Sequence, residues 1–192
     1  MEGSSVEASG ETPLQGCCRH LQAPFFDMKQ PSEAEIVRTW IAVFESLAPR
    51  GTVISRSEEC VSVSLEEEHT DFDLMFFSAD GGQELSSFKV NRGLSKGAYR
   101  LQYLKNVRLN RAIMENQYKT SGIRPAIPFM CFNGWECTLS VLYQYKGIFV
   151  SKELHNICLP TTKEGLAKLL EGKSLQIIQT VMVWYNIFIQ SD

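Results

Sequence analysis

Residues 71–116 constrain the fold more than any other part of the sequence. Residues 71–77 contain an apolar run long enough for a central β-strand. Gly81 and Gly82 follow and permit a tight turn, and residues 84–90 alternate in character as a second strand does. A basic loop then leads into a long helix, predicted over residues 99–119. The stretch therefore predicts strand, turn, strand and helix in succession, which is typical of an α/β domain.

The region before this stretch predicts a helix and a β-hairpin. Ser32 and Glu35 have the spacing of a capping box, which starts a helix. Pro49 and Gly51 end the helix, and residues 51–66 alternate apolar and polar as a hairpin does. The apolar positions at helical spacing are Ile36, Val37, Trp40, Ile41, Phe44 and Leu47. Residues 1–31 are rich in Ser, Glu, Gly and Pro, so we expect a flexible leader.

The region after the stretch predicts an antiparallel meander. Strands over residues 127–132, 135–145 and 148–152 are separated by two turn dipeptides, Asn133-Gly134 and Lys146-Gly147. Thr162 is the expected cap of a following helix, with Leu166, Leu169 and Leu170 as core positions. The final run, residues 175–189, is interpreted as a buried helix, although its composition would equally suit a strand. Together these elements predict one α/β (α+β) domain over residues 32–192, with a mixed sheet and flanking helices.

The long helix is expected to bury an apolar side and expose basic residues. Lys105 and Arg108 lie opposite the apolar side on a helical wheel, and Arg111 and Glu115 have the spacing of an i, i+4 ion pair. The predicted apolar side consists of Tyr103, Leu104, Val107, Leu109, Ile113 and Met114.

Composition limits the classes of function. A net charge of −3 means that any binding of nucleic acid must use a local basic patch. The sequence lacks a membrane-length apolar run, a signal core and the motifs GxSxG, GxxxxGK[ST], GxGxxG and HExxH. The six cysteines have no zinc-site spacing, so we expect reduced thiols and no disulfide-linked partner. A cytoplasmic or nuclear protein with no membrane contact is the expectation.

The element order of residues 32–132 resembles that of the PD-(D/E)XK nuclease-like superfamily. The resemblance implies a restriction-endonuclease-like core, to which this chain adds the meander and the C-terminal helices. It places Asp73 as the first acid of the motif, with Asp71 as its rival. Ser87-Phe88-Lys89 then occupies the place of acid-x-Lys, so that a serine stands where the motif has a carboxylate.

The same resemblance implies a magnesium site if the domain is active. Asp73 and Glu84 would then bind Mg²⁺, Lys89 would assist the attacking water, and Glu45 would be an accessory helix-borne ligand. In a regular strand Glu84 points to the other face, and it reaches the site only through a β-bulge. The alternatives are that Asp73 and Lys89 form a structural ion pair and that Glu45 is a surface carboxylate.

A basic helix beside the motif suggests contact with phosphates. Lys96, Arg100, Lys105 and Arg108 could each meet a backbone phosphate, the alternative being a solvated helix face. Because the acid-x-Lys acid is missing, we expect a degenerate nuclease-like domain that binds nucleic acid or a protein partner without turnover. An active Mg²⁺-dependent nuclease is one alternative. A protein-interaction module is the other, docking through Trp135, Tyr143, Tyr145 and Phe149.

Overall fold

The structure is a computed structural model that describes residues 31–47, 53–56, 74–77, 83–91, 93 and 95–189. The predicted order of elements is present in these ranges. The elements are α1 (Glu33–Leu47), β1 (Val53–Arg56), β2 (Leu74–Phe77), β3 (Glu84–Phe88), α2 (Lys96–Ser121), β4 (Ile127–Asn133), β5 (Glu136–Tyr145), β6 (Ile148–Cys158), α3 (Lys163–Glu171) and α4 (Lys173–Ile189). The predicted leader up to residue 30 and the second arm of the predicted hairpin lie outside the described residues.

Helix α1 begins with the predicted capping box. The Ser32 amide donates to Glu35 Oε2 at 2.6 Å, and the Glu35 amide donates to Ser32 Oγ at 3.3 Å. These bonds satisfy two amides that the first turn leaves without a helical acceptor. Ile36, Trp40 and Phe44 are buried, which confirms the predicted apolar stripe.

The strands form two antiparallel sheets in place of the predicted mixed sheet. One has the order β1-β2-β3 and the other β4-β5-β6. The central position predicted for β2 is confirmed, because β2 pairs with β1 on one side and with β3 on the other. The prediction of a mixed sheet is wrong because β3 and β4 lie side by side without a main-chain ladder between them.

The predicted meander is confirmed in β4, β5 and β6. Gly134 has φ 64°, and the second turn has Lys146 at φ 50° and Gly147 at φ 81°, the positive angles that tight hairpin turns require. Strand β6 continues to Cys158, beyond the predicted end at residue 152.

An aromatic cluster joins α1 to both sheets. The Phe44 ring packs edge-on against Phe76 of β2 and Phe132 of β4, with centroids 5.4 and 6.1 Å apart. Phe88 of β3 contacts both of those phenylalanines in the same way. The Trp40 indole N–H donates to the Gly134 carbonyl at 3.2 Å. The two sheets therefore share one core beneath α1.

Helix α2 covers the opposite face of β4. Tyr103 of α2 contacts Phe129, whereas Trp40 of α1 contacts Phe132, and residues an odd number apart on a strand point to opposite faces. Ser95 caps the start of α2, which begins at Lys96, three residues before the predicted start, and Gly122 in the left-handed conformation ends it.

The buried side of α2 is polar at several positions, which differs from the prediction. Leu104, expected in the core, has 46% of its surface exposed. Glu115 pairs with Arg124 at 3.1 Å, and the Arg111 guanidinium lies over the Phe149 ring, so the predicted Arg111–Glu115 pair is wrong. The buried polar residues of the helix are Gln102, Asn106, Asn110 and Gln117.

These four amides, which we call the amide ladder, replace the missing main-chain ladder between β3 and β4. Gln102 Nε2 donates to the carbonyls of both Lys89 and Phe132, at 2.8 and 3.1 Å. Asn106 donates to the Met130 carbonyl at 3.3 Å. Gln117 donates to the Glu84 carbonyl at 2.6 Å. Asn110 accepts from the Ser87 amide at 3.0 Å and donates to the Ser87 carbonyl at 2.9 Å, as a neighbouring strand would.

The chain ends in two helices, as predicted. The Gly165 amide donates to Thr162 Oγ1 at 3.1 Å, which confirms the predicted cap, and Leu169 is buried. The side chains of Leu166 and Leu170 lie outside the described residues. The final run is the helix α4, which excludes the alternative of a strand, and it packs on α1 and β6. No helix within the described ranges is long and apolar enough to cross a membrane.

Candidate functional site

The position predicted for acid-x-Lys lies on a bulged strand. Glu84 pairs with Phe77, and Ser86 pairs with Phe76, so that Leu85 is the extra residue of a β-bulge. Ser87 pairs with Met75, two residues from the partner of Glu84. Directly paired residues share a face, so the bulge brings Glu84 to the same face as Ser87. The sequence analysis expects Glu84 to reach the predicted site only through a β-bulge, and β3 contains such a bulge.

The other members of the predicted magnesium site are not brought together in the described structure. Glu84 is 7% exposed, whereas Glu45 is exposed on α1. Lys89 is half-buried just after β3, where its carbonyl accepts from Gln102. Asp71 and Asp73 lie outside the described residues. Among the residues that are described, no group of three or more His, Cys, Asp and Glu is placed to hold a metal ion. The magnesium site therefore stays a prediction.

The four predicted phosphate-binding residues are all exposed on α2 and are spread over about half of its circumference. Lys96, Arg100, Lys105 and Arg108 are all exposed, and we call them the cationic face. They span twelve residues, or roughly 18 Å along the helix axis. Glu115 is the only acid of this helix, and it pairs with Arg124 beyond the helix. Positive charge on this face is thus not neutralised from within α2.

Two leucines interrupt the cationic face. Leu101 is 65% exposed and Leu104 is 46% exposed, both within the span of the four basic residues. Helical periodicity places the amide ladder on the side of α2 that faces the sheets and the cationic face on the side that faces solvent. The helix is therefore held by polar contacts on one side and presents charge with some apolar surface on the other.

A cavity of about 360 Å³ opens at the N-terminal end of α2. Helix α2 and the three strands of the meander form its walls. The lining residues are Lys96, Tyr99, Cys131, Asn133, Glu136, Cys137, Thr138, Asn156, Ile157 and Cys158. The lining is mixed, with hydroxyl, amide and thiol groups beside one ammonium and one carboxylate. The sequence analysis missed this cavity. The Asn133-Gly134 turn sets the register that pairs Cys131 with Thr138, but a β-bulge between Leu139 and Ser140 is what brings Asn156 opposite Thr138.

Burial keeps the phenol and thiols of the cavity neutral. The Tyr99 hydroxyl donates to Thr138 Oγ1 at 2.6 Å, and burial raises the pKa of Tyr99 well above its usual value. Burial raises the pKa of Cys131 to about 11, against the opposing effect of hydrogen bonds with Tyr99 and Asn106. Burial also raises the pKa of Cys137, and partial burial raises that of Cys158. At neutral pH these thiols are poor nucleophiles, because the thiolate is the reactive form.

The cysteines resolved by the structure carry free thiols. Cys131 and Cys137 are buried and Cys158 is exposed, and none of the three forms a disulfide. Cys17, Cys18 and Cys60 lie outside the described residues.

Comparison of the chain with protein-family models, with curated proteins and with solved structures gave no match.

Proposed function

We propose that this chain is a nucleic-acid-binding module that contacts backbone phosphates through the cationic face of α2 and does not turn its ligand over. The observation that carries the proposal is the exposure of Lys96, Arg100, Lys105 and Arg108 on one helix whose only acid is already paired. Exposed Arg and Lys side chains bind phosphates and release counterions, which makes such binding favourable without contact to bases.

A rigid attachment of α2 supports the same function. The amide ladder fixes the helix against β3 and β4 at positions from Gln102 to Gln117, which overlaps the C-terminal half of the cationic face. Side chains on a fixed helix lose less freedom on binding than side chains on a loop. The spacing of the four basic residues along the backbone is thereby set before a ligand arrives.

The salt dependence of binding follows from the number of basic groups. If all four contact phosphates, log K falls with log [salt] with a slope of about −3.6 for a duplex and about −2.8 for a single strand. Between 50 and 200 mM salt the affinity should then fall roughly 50-fold to 150-fold.

A charge-reversal pair tests the proposal. Arg100→Glu plus Arg108→Glu should abolish binding of a 12-nucleotide oligonucleotide at 50 mM salt, measured by fluorescence anisotropy. Lys168→Glu plus Lys173→Glu is the matched control, because it makes the same change in net charge at exposed positions of α3 and α4. Equal affinity of the two variants would refute a specific role of the cationic face.

The absence of turnover is part of the proposal and rests on Ser87. A serine hydroxyl carries no negative charge and would leave a magnesium site short of one carboxylate. The alternative, an active nuclease, is favoured by the bulge that brings Glu84 to the face of Ser87. Cleavage of plasmid or single-stranded DNA in Mg²⁺, lost in both Asp73→Ala and Lys89→Ala, would establish that alternative and overturn the proposal of binding alone.

A protein-interaction module is the second candidate. Of the four aromatic residues predicted to dock a partner, Trp135 and Phe149 pack against the core, and Tyr143 is half-buried. Tyr145 is 59% exposed, and its strand partner Ile148 is 68% exposed. A protein retained by the wild type but lost with Tyr145→Ser plus Ile148→Ser, in the absence of any oligonucleotide binding, would favour this candidate.

A further inference from the structure

The cavity and the cationic face meet at one residue. Lys96 is the first residue of α2, belongs to the cationic face and lines the cavity. A strand whose phosphates follow the cationic face would therefore pass the mouth of the cavity at the start of the helix.

The charge and size of the cavity favour a neutral ring over a phosphate. Lys96 is the one basic residue of its lining and Glu136 the one acidic residue, and its phenol and thiols are protonated at neutral pH, so its net charge is close to zero. A volume of 360 Å³ lies near the lower end of the roughly 300–1,000 Å³ of small-molecule sites. One planar base is a ligand of suitable size.

The lining offers the contacts that an unpaired base uses. Tyr99 provides an aromatic ring for stacking, and the Asn156 amide can both donate and accept. The Glu136 carboxylate accepts hydrogen bonds only, so it suits the exocyclic amino group of cytosine, adenine or guanine. Thymine and uracil have no such group.

We infer that this cavity binds one unpaired, amino-bearing base of a single strand whose phosphates lie along the cationic face. The inference rests on the proposed function and adds to it a preference for single strands and for a class of base. No bond is made or broken, because the cavity only binds the base.

Three 12-nucleotide single strands test the inference by anisotropy: one of deoxycytidines, one of thymidines and one of abasic sites. Wild type should bind the deoxycytidine strand about tenfold more tightly than the abasic strand, the size of one stacked base. Asn156→Trp fills the cavity from an exposed position of β6 and should remove that advantage. Leu154→Trp on the same strand is the matched control, since Leu154 is exposed and does not line the cavity. Glu136→Gln should bring the thymidine and deoxycytidine strands closer in affinity.

Cys158 supplies a second measurement that needs no variant. Its thiol lines the cavity and is exposed, so bound deoxycytidine strand should slow its alkylation, followed by peptide mass spectrometry, while the abasic strand should not. Equal affinity of wild type for the deoxycytidine and abasic strands, with both lost on Arg100→Glu plus Arg108→Glu, would overturn the cavity inference and leave the proposed function intact. Failure of wild type to bind any strand at 50 mM salt would overturn both.

Discussion

Asn110→Leu should destabilise the protein strongly, because the Asn110 side chain makes the main-chain hydrogen bonds with β3 that a neighbouring strand would make. Its side chain is fully buried and makes hydrogen bonds with the Ser86 hydroxyl and with both the amide and the carbonyl of Ser87. Leucine is of similar size but makes none of these bonds. The substitution therefore leaves polar groups of β3 buried without partners in the described structure.

The size of the effect follows from the groups left unpaired. The two main-chain groups of Ser87 cost about 1–3 kcal/mol each, or about 2–6 kcal/mol together. Leucine returns about 0.5 kcal/mol through its higher helix propensity. We expect a net loss of about 2–5 kcal/mol, a large part of the roughly 5–15 kcal/mol by which domains are stable.

Urea unfolding, followed by circular dichroism, measures this loss. The urea concentration at the midpoint should fall, while the dependence of the unfolding free energy on urea concentration should not change. Asn116→Leu is the matched control, because it makes the same chemical change on the same helix at a half-buried position outside the amide ladder. The control should lie within about 0.5 kcal/mol of wild type. If Asn110→Leu lost less than about 1 kcal/mol, the amide ladder would not be what joins the two sheets.

Four further predictions concern the helix ends and the buried thiol. Gly122→Ala should cost about 1 kcal/mol through its left-handed conformation alone, because an added Cβ meets no atom within 4 Å. Gly97→Ala, in the first turn of α2 and equally unobstructed, should instead raise the melting temperature slightly. Hydrogen bonds from Ser32 lower the pKa of Glu35, so its contribution is complete above pH 4.5 and is lost as the pH falls through the lower folded pKa. The difference in melting temperature between wild type and Glu35→Gln at pH 7 should therefore decrease as the pH is lowered below 4.5. Because burial raises the pKa of Cys131 to about 11, its alkylation should accelerate about tenfold per pH unit between pH 8 and 10, and a rate independent of pH would contradict this reasoning.

The β-bulge in β3 is a feature of the candidate site that the sequence did not predict. A regular strand places Glu84 and Ser87 on opposite faces, and the alternation of residues 84–90 gives no sign of a bulge. The register with β2 shows that Leu85 is the extra residue. A bulge depends on how two strands align, so one strand read alone does not reveal it.

The cationic face could be predicted, whereas the cavity could not. Lys96, Arg100, Lys105 and Arg108 are charged, and charged side chains on a helix remain in water unless they are paired. Cys131, Thr138 and Asn156 stand on three strands, and each residue type is common in ordinary sheets. Only their register and the position of α2 above them create an enclosed volume.

The sequence by itself determined the elements and their ends. The capping box at Ser32, the cap at Thr162, the left-handed Gly122 and the Lys146-Gly147 turn all depend on groups within about five residues of each other. Only the tertiary structure decided that β3 and β4 lie side by side without a main-chain ladder, since the bonds that join them through α2 link residues 13 to 33 positions apart. An asparagine or glutamine in a helix has the same local preference whether it faces water or a strand edge. The partner that satisfies its amide is therefore set by the packing of distant segments.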